Sequence, residues 1–267
     1  MNDDDWLELS YGSFGAVEDA FHAALEQSLA PRGPDVLYDL VGGMGLVPGM
    51  AAVDVGCGEG RHTGRLAERF GLVVTGVDPV PSQLELARAA SPSCRFELGR
   101  AEALPLADES VDLVWCRDVL VHVADLDRAY AEFRRVLRPG GRALVYQMFA
   151  TPRLEPREAS WFLPMTGIVP ASADPARTEA AIDRGGLVID ELVVLGSEWG
   201  EHAEEADGKP GERLLWAARL LRDPERYVER FGRAHYDVML GDCLWHVYAM
   251  IGKLERRVYV LRRPSYS

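Results

Sequence analysis

Apolar residues first fall into helical spacing between Val17 and Leu29, where Val17, Ala20, Phe21, Ala24, Leu25 and Leu29 recur every three or four positions. Pro31, Gly33 and Pro34 interrupt that pattern, and Asp35 to Val41 predicts a second, short helix. Breakers then crowd together at Gly42, Gly43, Gly45, Pro48 and Gly49, and the texture changes beyond them. From Ala51 to Phe149 short apolar runs alternate with amphipathic stretches. Ala51–Val55 predicts a buried strand, followed by a glycine loop and a helix reaching about Phe70. Leu72–Val77, Arg95–Leu98, Val111–Cys116 and Arg142–Met148 predict four further strands, with a helix over Ser82–Ala90 entered through Pro81. Asp125 is placed to cap a helix bearing Leu126, Ala129, Phe133, Val136 and Leu137, which Pro139-Gly140-Gly141 ends. Repeated β-α units of this kind imply right-handed crossovers and a mainly parallel sheet covered on both faces.

After Phe149 the pattern loosens. Residues 150–175, rich in proline and aromatics, are expected to wander over a surface or a mouth, before a helix over Pro175–Arg184 closed by Gly185-Gly186. Leu187–Leu195 predicts a sixth strand and Arg257–Leu261 a seventh, with a helical stretch over 209–252 broken near Pro224 and Gly232. So long an excursion between two strands points to a functional or interfacial role. The expected architecture is α/β: a doubly wound seven-stranded sheet within residues 45–267, an N-terminal helical cover over 1–44, and lid insertions at about 150–175 and 199–252.

Charge changes the picture by excluding partners. The chain has 29 Lys and Arg against 42 Asp and Glu, a net charge of −13, which repels phosphate backbones and argues against nucleic acid. No apolar run approaches the roughly 20 residues needed to span a bilayer, so no membrane association is expected. The acidic start, Met1-Asn2-Asp3-Asp4-Asp5, is the opposite of a signal peptide's basic one, so the expected location is cytoplasmic. The cysteines (Cys57, Cys94, Cys116, Cys243) form no C-x-x-C pair and read as reduced thiols; no spacing of His, Asp or Glu marks a metal site.

The loop Asp54-Val55-Gly56-Cys57-Gly58-Glu59-Gly60 carries the candidate chemistry. Glycines between a buried strand and a helix let a ligand approach the backbone closely. A dinucleotide fingerprint needs G-x-G-x-x-G, but here Arg61 stands where its third glycine belongs. The tighter G-x-G-x-G turn fits a ligand without a pyrophosphate. Asp78, at the end of the second strand, is placed to accept from both hydroxyls of a ribose.

At this point V-D-V-G-C-G-E-G followed by G-V-D-P resembles the cofactor motifs of class I S-adenosylmethionine-dependent methyltransferases. The likeness continues through Gly99-Arg100-Ala101-Glu102-Ala103-Leu104-Pro105-Leu106, Ser110–Cys116, Leu120-x-His122 and Leu137-Arg138-Pro139-Gly140-Gly141. It covers residues 45–149, about two-fifths of the chain, and is most similar to the ubiquinone-biosynthesis type of small-molecule methyltransferase. The resemblance implies a Rossmann-like fold and S-adenosylmethionine as cofactor. Gly56, Cys57 and Gly58 would then face its methionine and ribose portions, with Asp54 at the methionine end. Asp78, with Pro79 and Gln83 after it, would hold the ribose side; Ala101 and Glu102 would flank the adenine, and Cys116 would lie beneath. One departure stands out: relatives usually carry Asp where this chain has Arg100, so the customary acceptor for the adenine amino group is missing.

Candidate groups for catalysis lie elsewhere. His122, just after the fourth strand, is a general-base or substrate candidate as well as an ordinary loop residue. Tyr11, in the Ser10-Tyr11-Gly12 turn, and His246 are further catalytic candidates, while Trp199, Tyr236, Trp245 and His22 are candidates for substrate contact. Tyr236, Met239, Cys243, His246 and Met250 share a stripe on one predicted helix, a pattern that equally describes core. Glu201 to Asp207 reads as a solvated acidic run, and His62 as a helix-start residue beside the cofactor.

The expected function is methyl transfer to an O, N or activated C nucleophile of a small metabolite by a monomer or homodimer. Two alternatives remain at this level: an S-adenosylmethionine-dependent enzyme that does not methylate, and a non-catalytic cofactor-binding module. Methylation of macromolecules fits poorly, since Arg117-Asp118-Val119-Leu120 stands where nucleic-acid amino-methylating enzymes carry N/D-P-P-Y/F.

Overall fold

A computed structural model describes residues 3–265, in two compact units that meet in sequence between Pro31 and Arg32. The first unit comprises α1 (Asp3–Leu7), a π-helical turn over Glu8–Ser13, a short 3₁₀ turn and α2 (Glu18–Leu25). Its internal packing is slight: Trp6 meets Tyr11 edge-on, Phe14 stacks on Phe21, and Leu25 and Leu29 stay mostly exposed.

The second unit begins with α3 (Val36–Gly42), whose Leu37, Tyr38 and Val41 are buried among sheet residues such as Trp115 and Leu144. The expected division after residue 44 therefore differs from the structural one. The apolar stripe of this helix needs the sheet to cover it, so it belongs to the main body.

Seven strands follow: β1 (Ala51–Val55), β2 (Val73–Asp78), β3 (Arg95–Leu98), β4 (Val111–Arg117), β5 (Leu137–Ala150), β6 (Val188–Val194) and β7 (Leu254–Arg262). They lie in the order β3-β2-β1-β4-β5-β7-β6. All neighbours are parallel except β7, which runs antiparallel to both β5 and β6. The doubly wound, seven-stranded expectation is met. Because side chains alternate across a strand, Leu113 and Trp115 of β4 face one layer while Val114 and Cys116 face the other. The first layer is closed by α3 and α4 (Arg61–Phe70). Next come α5 (Pro81–Ala90), which covers Phe96, and α6 (Leu126–Val136), which buries Tyr130 and Phe133 in the second layer. The Asp125 carboxylate accepts from Arg128 N at 3.0 Å, the expected cap.

Two differences concern the lids. Residues 150–175 do not simply wander: they hold α7 (Pro156–Met165), started by a Glu155/Glu158 capping box with Pro156 in the first turn. After α8 (Pro175–Arg184), the acidic stretch from Glu201 to Asp207 keeps its expected solvated face, with Glu204, Glu205 and Asp207 exposed, but it is helical, within α9 (Glu198–Asp207), which buried Trp199 anchors. Then α10 (Lys209–Arg222), α11 (Pro224–Phe231) and α12 (Arg233–Met250) follow, broken at Pro224 and Gly232 as expected. Together α7, α10 and α12 enclose a separate core that includes Phe162, Leu163, Leu240, Cys243 and Tyr248, seated on Met148 of β5 and Leu254 of β7. None of the described helices is long and apolar enough to cross a membrane.

Candidate functional site

In an open α/β sheet, ligands bind beyond the carboxyl ends of the strands where the winding reverses, here between β1 and β4. The glycine loop leaves β1 at that point. Gly56, Gly58 and Gly60 all adopt positive φ (71°, 51° and 79°), conformations that a Cβ disfavours. The loop's amides are spent internally: Gly56 N and Cys57 N donate to Val77 O, Gly60 N donates to Cys57 O, and Gly58 N donates to Asp78 Oδ2 at 2.9 Å. It is thus no phosphate cradle of free N–H groups, in agreement with the missing third fingerprint glycine. Its glycines provide room instead. A Cβ on Gly56 would stand 2.1 Å from Val119 Cγ2.

Asp78 is buried, and its other oxygen accepts from Val80 N at 2.9 Å. Each carboxylate oxygen has a second lone pair, so two directed acceptors remain for a vicinal diol. Pro79 is exposed beside it, and the Gln83 amide lies over Gly58, where a Cβ would be 3.8 Å from Oε1. Asp54 is sealed inside, accepting from Thr63 Oγ1 at 2.7 Å. Burial pushes its carboxyl up to about 7, only partly opposed by that hydrogen bond. Ala101 is buried, and the Glu102 carbonyl is taken by Arg128 Nε at 2.8 Å, which leaves the Glu102 carboxylate as its remaining acceptor. Arg100 is exposed. Cys116 pairs with Val55 in the sheet and has no exposed surface; burial raises its thiol well above the usual range, and that of Cys57 to about 12.

Immediately past β4, Asp118 takes φ +57°, a rare conformation for a residue other than glycine and one that clusters at functional sites. Its N–H donates to Tyr146 O at 3.0 Å. The carboxylate lines a cavity of about 680 Å³ bounded by β4, β5, β7, α7, α9 and α12. This depth pushes the carboxyl up to about 6, against the pull of Arg117 and Arg256. Four of the residues expected from sequence meet there: His122, His246, Trp199 and Trp245. The imidazole Nδ1–H groups of His122 and His246 donate to the carbonyls of Gly167 (2.9 Å) and Asp242 (2.8 Å), so the neutral rings present Nε2 as a lone pair. Trp199 stacks on Tyr146 with centroids 4.5 Å apart. The next residue after Asp118 is Val119, the side chain that touches Gly56. Adjacent residues at the end of β4 thus reach the cavity (Asp118) and the glycine loop (Val119).

Other expectations fall elsewhere. Tyr236 faces a different hollow, with Trp216, Phe231 and Met239, and its hydroxyl donates to Leu220 O at 3.2 Å. The stripe it was grouped with divides: Cys243 is fully buried while Met239 is largely exposed, because α12 packs against several neighbours rather than one. Tyr11 and His22 belong to the first unit, where both are exposed. His62 is more than a helix start. Arg117 Nη1 donates to its Nε2 at 2.9 Å, which leaves Nδ1–H to donate to the Tyr38 hydroxyl. Burial first, then Arg117, holds that imidazole down to about 4, so it stays neutral. The sequence reading missed Arg117, Asp118, Tyr146 and Arg256 as cavity residues. The one available signal was the place of Arg117-Asp118 at the end of β4.

The description "methyltransferase domain" belongs to the family profile that matches residues 53–145. An uncharacterized methyltransferase of Mycobacterium bovis is 40% identical over 139 residues, which cover 51% of this chain and 54% of that protein. The chain thus spans about half the length of the curated relatives it matches first. Among solved structures, a geranyl diphosphate methyltransferase in complex with S-adenosylmethionine superposes with a TM-score of 0.64 at 20% identity, covering 85% of this chain and 84% of that one. The [4+2]-cyclase SpnF superposes with a TM-score of 0.65 at 23% identity, covering 87% and 82%. At such identities the superpositions establish the fold.

Proposed function

We propose that this chain, whose residues 53–145 match a methyltransferase-domain profile, is a class I S-adenosylmethionine-dependent methyltransferase that transfers a methyl group from that cofactor to an O, N or activated C nucleophile of a small molecule. The observation that carries the reading is the end of β4, where Asp118 lines the 680 Å³ cavity and its chain neighbour Val119 lies against the glycine loop. A cofactor on the loop and an acceptor in the cavity would be neighbours.

The residues fit the cofactor by their own geometry. Gly56 and Gly58 leave the space, Asp78 retains two acceptor lone pairs for a ribose with Gln83 over Gly58 beside it, and Ala101 and Glu102 would flank the adenine. The bound cofactor supplies a methyl group already activated by its sulfonium. The chain's own residues then orient the acceptor and exclude water. His122 and His246 line the cavity with Nδ1 committed to a carbonyl, which leaves Nε2 of either to take a proton from an acceptor that carries one.

A second reading, an enzyme that uses the same fold and cofactor without methylating, is favoured by the likeness in fold to a protein described as a [4+2]-cyclase. One experiment separates the two. The protein is incubated with methyl-labelled S-adenosylmethionine and a panel of small acids, phenols and amines. Label in an organic product together with S-adenosylhomocysteine supports methyl transfer. Cofactor binding without S-adenosylhomocysteine across the panel supports the second reading, and absence of cofactor binding refutes both.

A further inference from the structure

Unpaired cations are rare inside proteins, because a buried charge without a partner costs several kcal/mol. The 680 Å³ cavity holds one with no ion pair at contact distance. Arg256 is 6% exposed; its Nη1 donates to Gly196 O at 3.2 Å and its guanidinium also bonds the Tyr146 side chain, while among the described residues its attraction to Asp118 is not a contact within 4 Å. Arg117 stands beside it: both guanidinium carbons are within 6 Å of the Trp199 ring centre, at 5.7 and 5.9 Å. Arg117 spends Nη1 on His62, its Nε is a buried donor with no acceptor, and its approach to Asp118 is 3.9 Å, too long for a hydrogen bond. The indole Nε1 of Trp199 is a second buried donor without an acceptor.

Two guanidinium groups thus face one carboxylate, Asp118. The other acid of the cavity, Asp242, is committed to Arg213 at 2.5 Å. In a chain of net charge −13 this pocket carries two guanidinium groups, and its unpartnered donors, Arg117 Nε and Trp199 Nε1, outnumber its one unpartnered acceptor, Asp118 Oδ1. The outer walls, including Pro164, Met165, Val238 and Trp245, are apolar.

We infer that the cavity selects an acceptor bearing an anionic oxygen on an apolar body, a carboxylate, phenolate or enolate, with Arg256 and Arg117 receiving the charge. The inference rests on the cavity's being the acceptor site and narrows the class of molecule that enters it. An acceptor that arrives as an oxyanion needs no proton removed, which makes His122 and His246 positioning groups. Charge-assisted hydrogen bonds to a guanidinium are the stronger kind, and they provide the preference.

The test uses three ligands of one shape: 2-naphthoate, 2-naphthamide and 2-naphthylmethylamine. Each is titrated by calorimetry and ligand-observed NMR into the protein, with and without S-adenosylhomocysteine. The carboxylate is expected to bind about tenfold more tightly than the amide, with the amine weaker still. Arg256→Gln is expected to cut that preference to threefold or less, while Arg256→Lys keeps most of it. Arg117→Gln, at a less buried position, serves if Arg256→Gln does not fold. Equal affinity for acid and amide, no measurable binding of either, or a preference unchanged in both glutamine variants overturns the inference. The cofactor arm is independent: if S-adenosylhomocysteine fails to bind while naphthoate is preferred, the functional reading falls and the anion site stands.

Discussion

Replacing Gly56 by alanine puts two separable penalties on the point where loop and cavity meet. At φ +71° an L-residue is left-handed, which costs roughly 1–2 kcal/mol. The new Cβ would also lie 2.1 Å from Val119 Cγ2, well inside van der Waals contact, and overpacking of this kind costs about 1–3 kcal/mol. Gly56→Ala should therefore destabilise the protein by roughly 2–5 kcal/mol in urea unfolding. Its affinity for S-adenosylhomocysteine should fall as well, because the overlap is relieved only by moving the loop or Val119. A double-mutant cycle separates the parts. Adding Val119→Ala removes the clashing methyl, so it should restore the overlap portion and leave the backbone portion. A Gly56→Ala protein within about 0.5 kcal/mol of the parent would refute the reasoning. So would a double variant no more stable than the single one, since the overlap would then not be where the structure places it.

Asp78→Ala strands the N–H groups of Gly58 and Val80 and should cost about 2–4 kcal/mol in stability. Calorimetric affinity for S-adenosylhomocysteine should drop at least about tenfold; unchanged affinity would remove Asp78 from the cofactor site. The Asp54 carboxyl is raised in the folded state, so that state holds the proton more tightly than the unfolded chain does. Its contribution to stability is therefore fully present below pH 4 and is lost as pH rises towards 7, on the order of 4 kcal/mol in all. Unfolding measured from pH 4 to 8 should show a shallower decline in Asp54→Asn, and identical slopes would count against the assignment. His62, neutral and tied to Arg117, should show no imidazole titration by NMR between pH 5 and 8; a midpoint near its ordinary 6.5 would contradict the buried contact. Cys57 and Cys116 should resist iodoacetamide at pH 7 until the protein is unfolded, whereas rapid labelling in the folded state would mean that the loop opens.

The alternating strands and helices from Ala51 to Phe149 were legible in the sequence because their signals are local. β1 and β3 begin and end where hydrophobic runs and breakers put them, and Asp125 caps its helix through a bond three residues long. The cofactor loop was legible for the same reason: spacing alone distinguishes G-x-G-x-G from a dinucleotide turn, and the hydrogen bonds that occupy its amides are made within the loop or with the adjacent strand end. Less local features escaped. α7 carries a capping box that could have been read, but its prolines and aromatics masked it; α9 holds through buried Trp199, whose stacking partner Tyr146 lies 53 positions earlier in the chain. The cavity draws Arg117, Tyr146, Trp199, His246 and Arg256 from five distant segments, and no pattern in the sequence brings these together. Neither does the sequence tell Arg256 from Arg257, one buried and in no ion pair among the described residues, the other paired with Glu179 and Glu255. By itself the sequence determined the sheet and the glycine loop, each written in short-range spacing, and the motifs on which the proposed cofactor rests. What the cavity contains, and which of its charges lack partners, was decided only by tertiary packing, because desolvation depends on everything that surrounds a group and not on its neighbours along the chain.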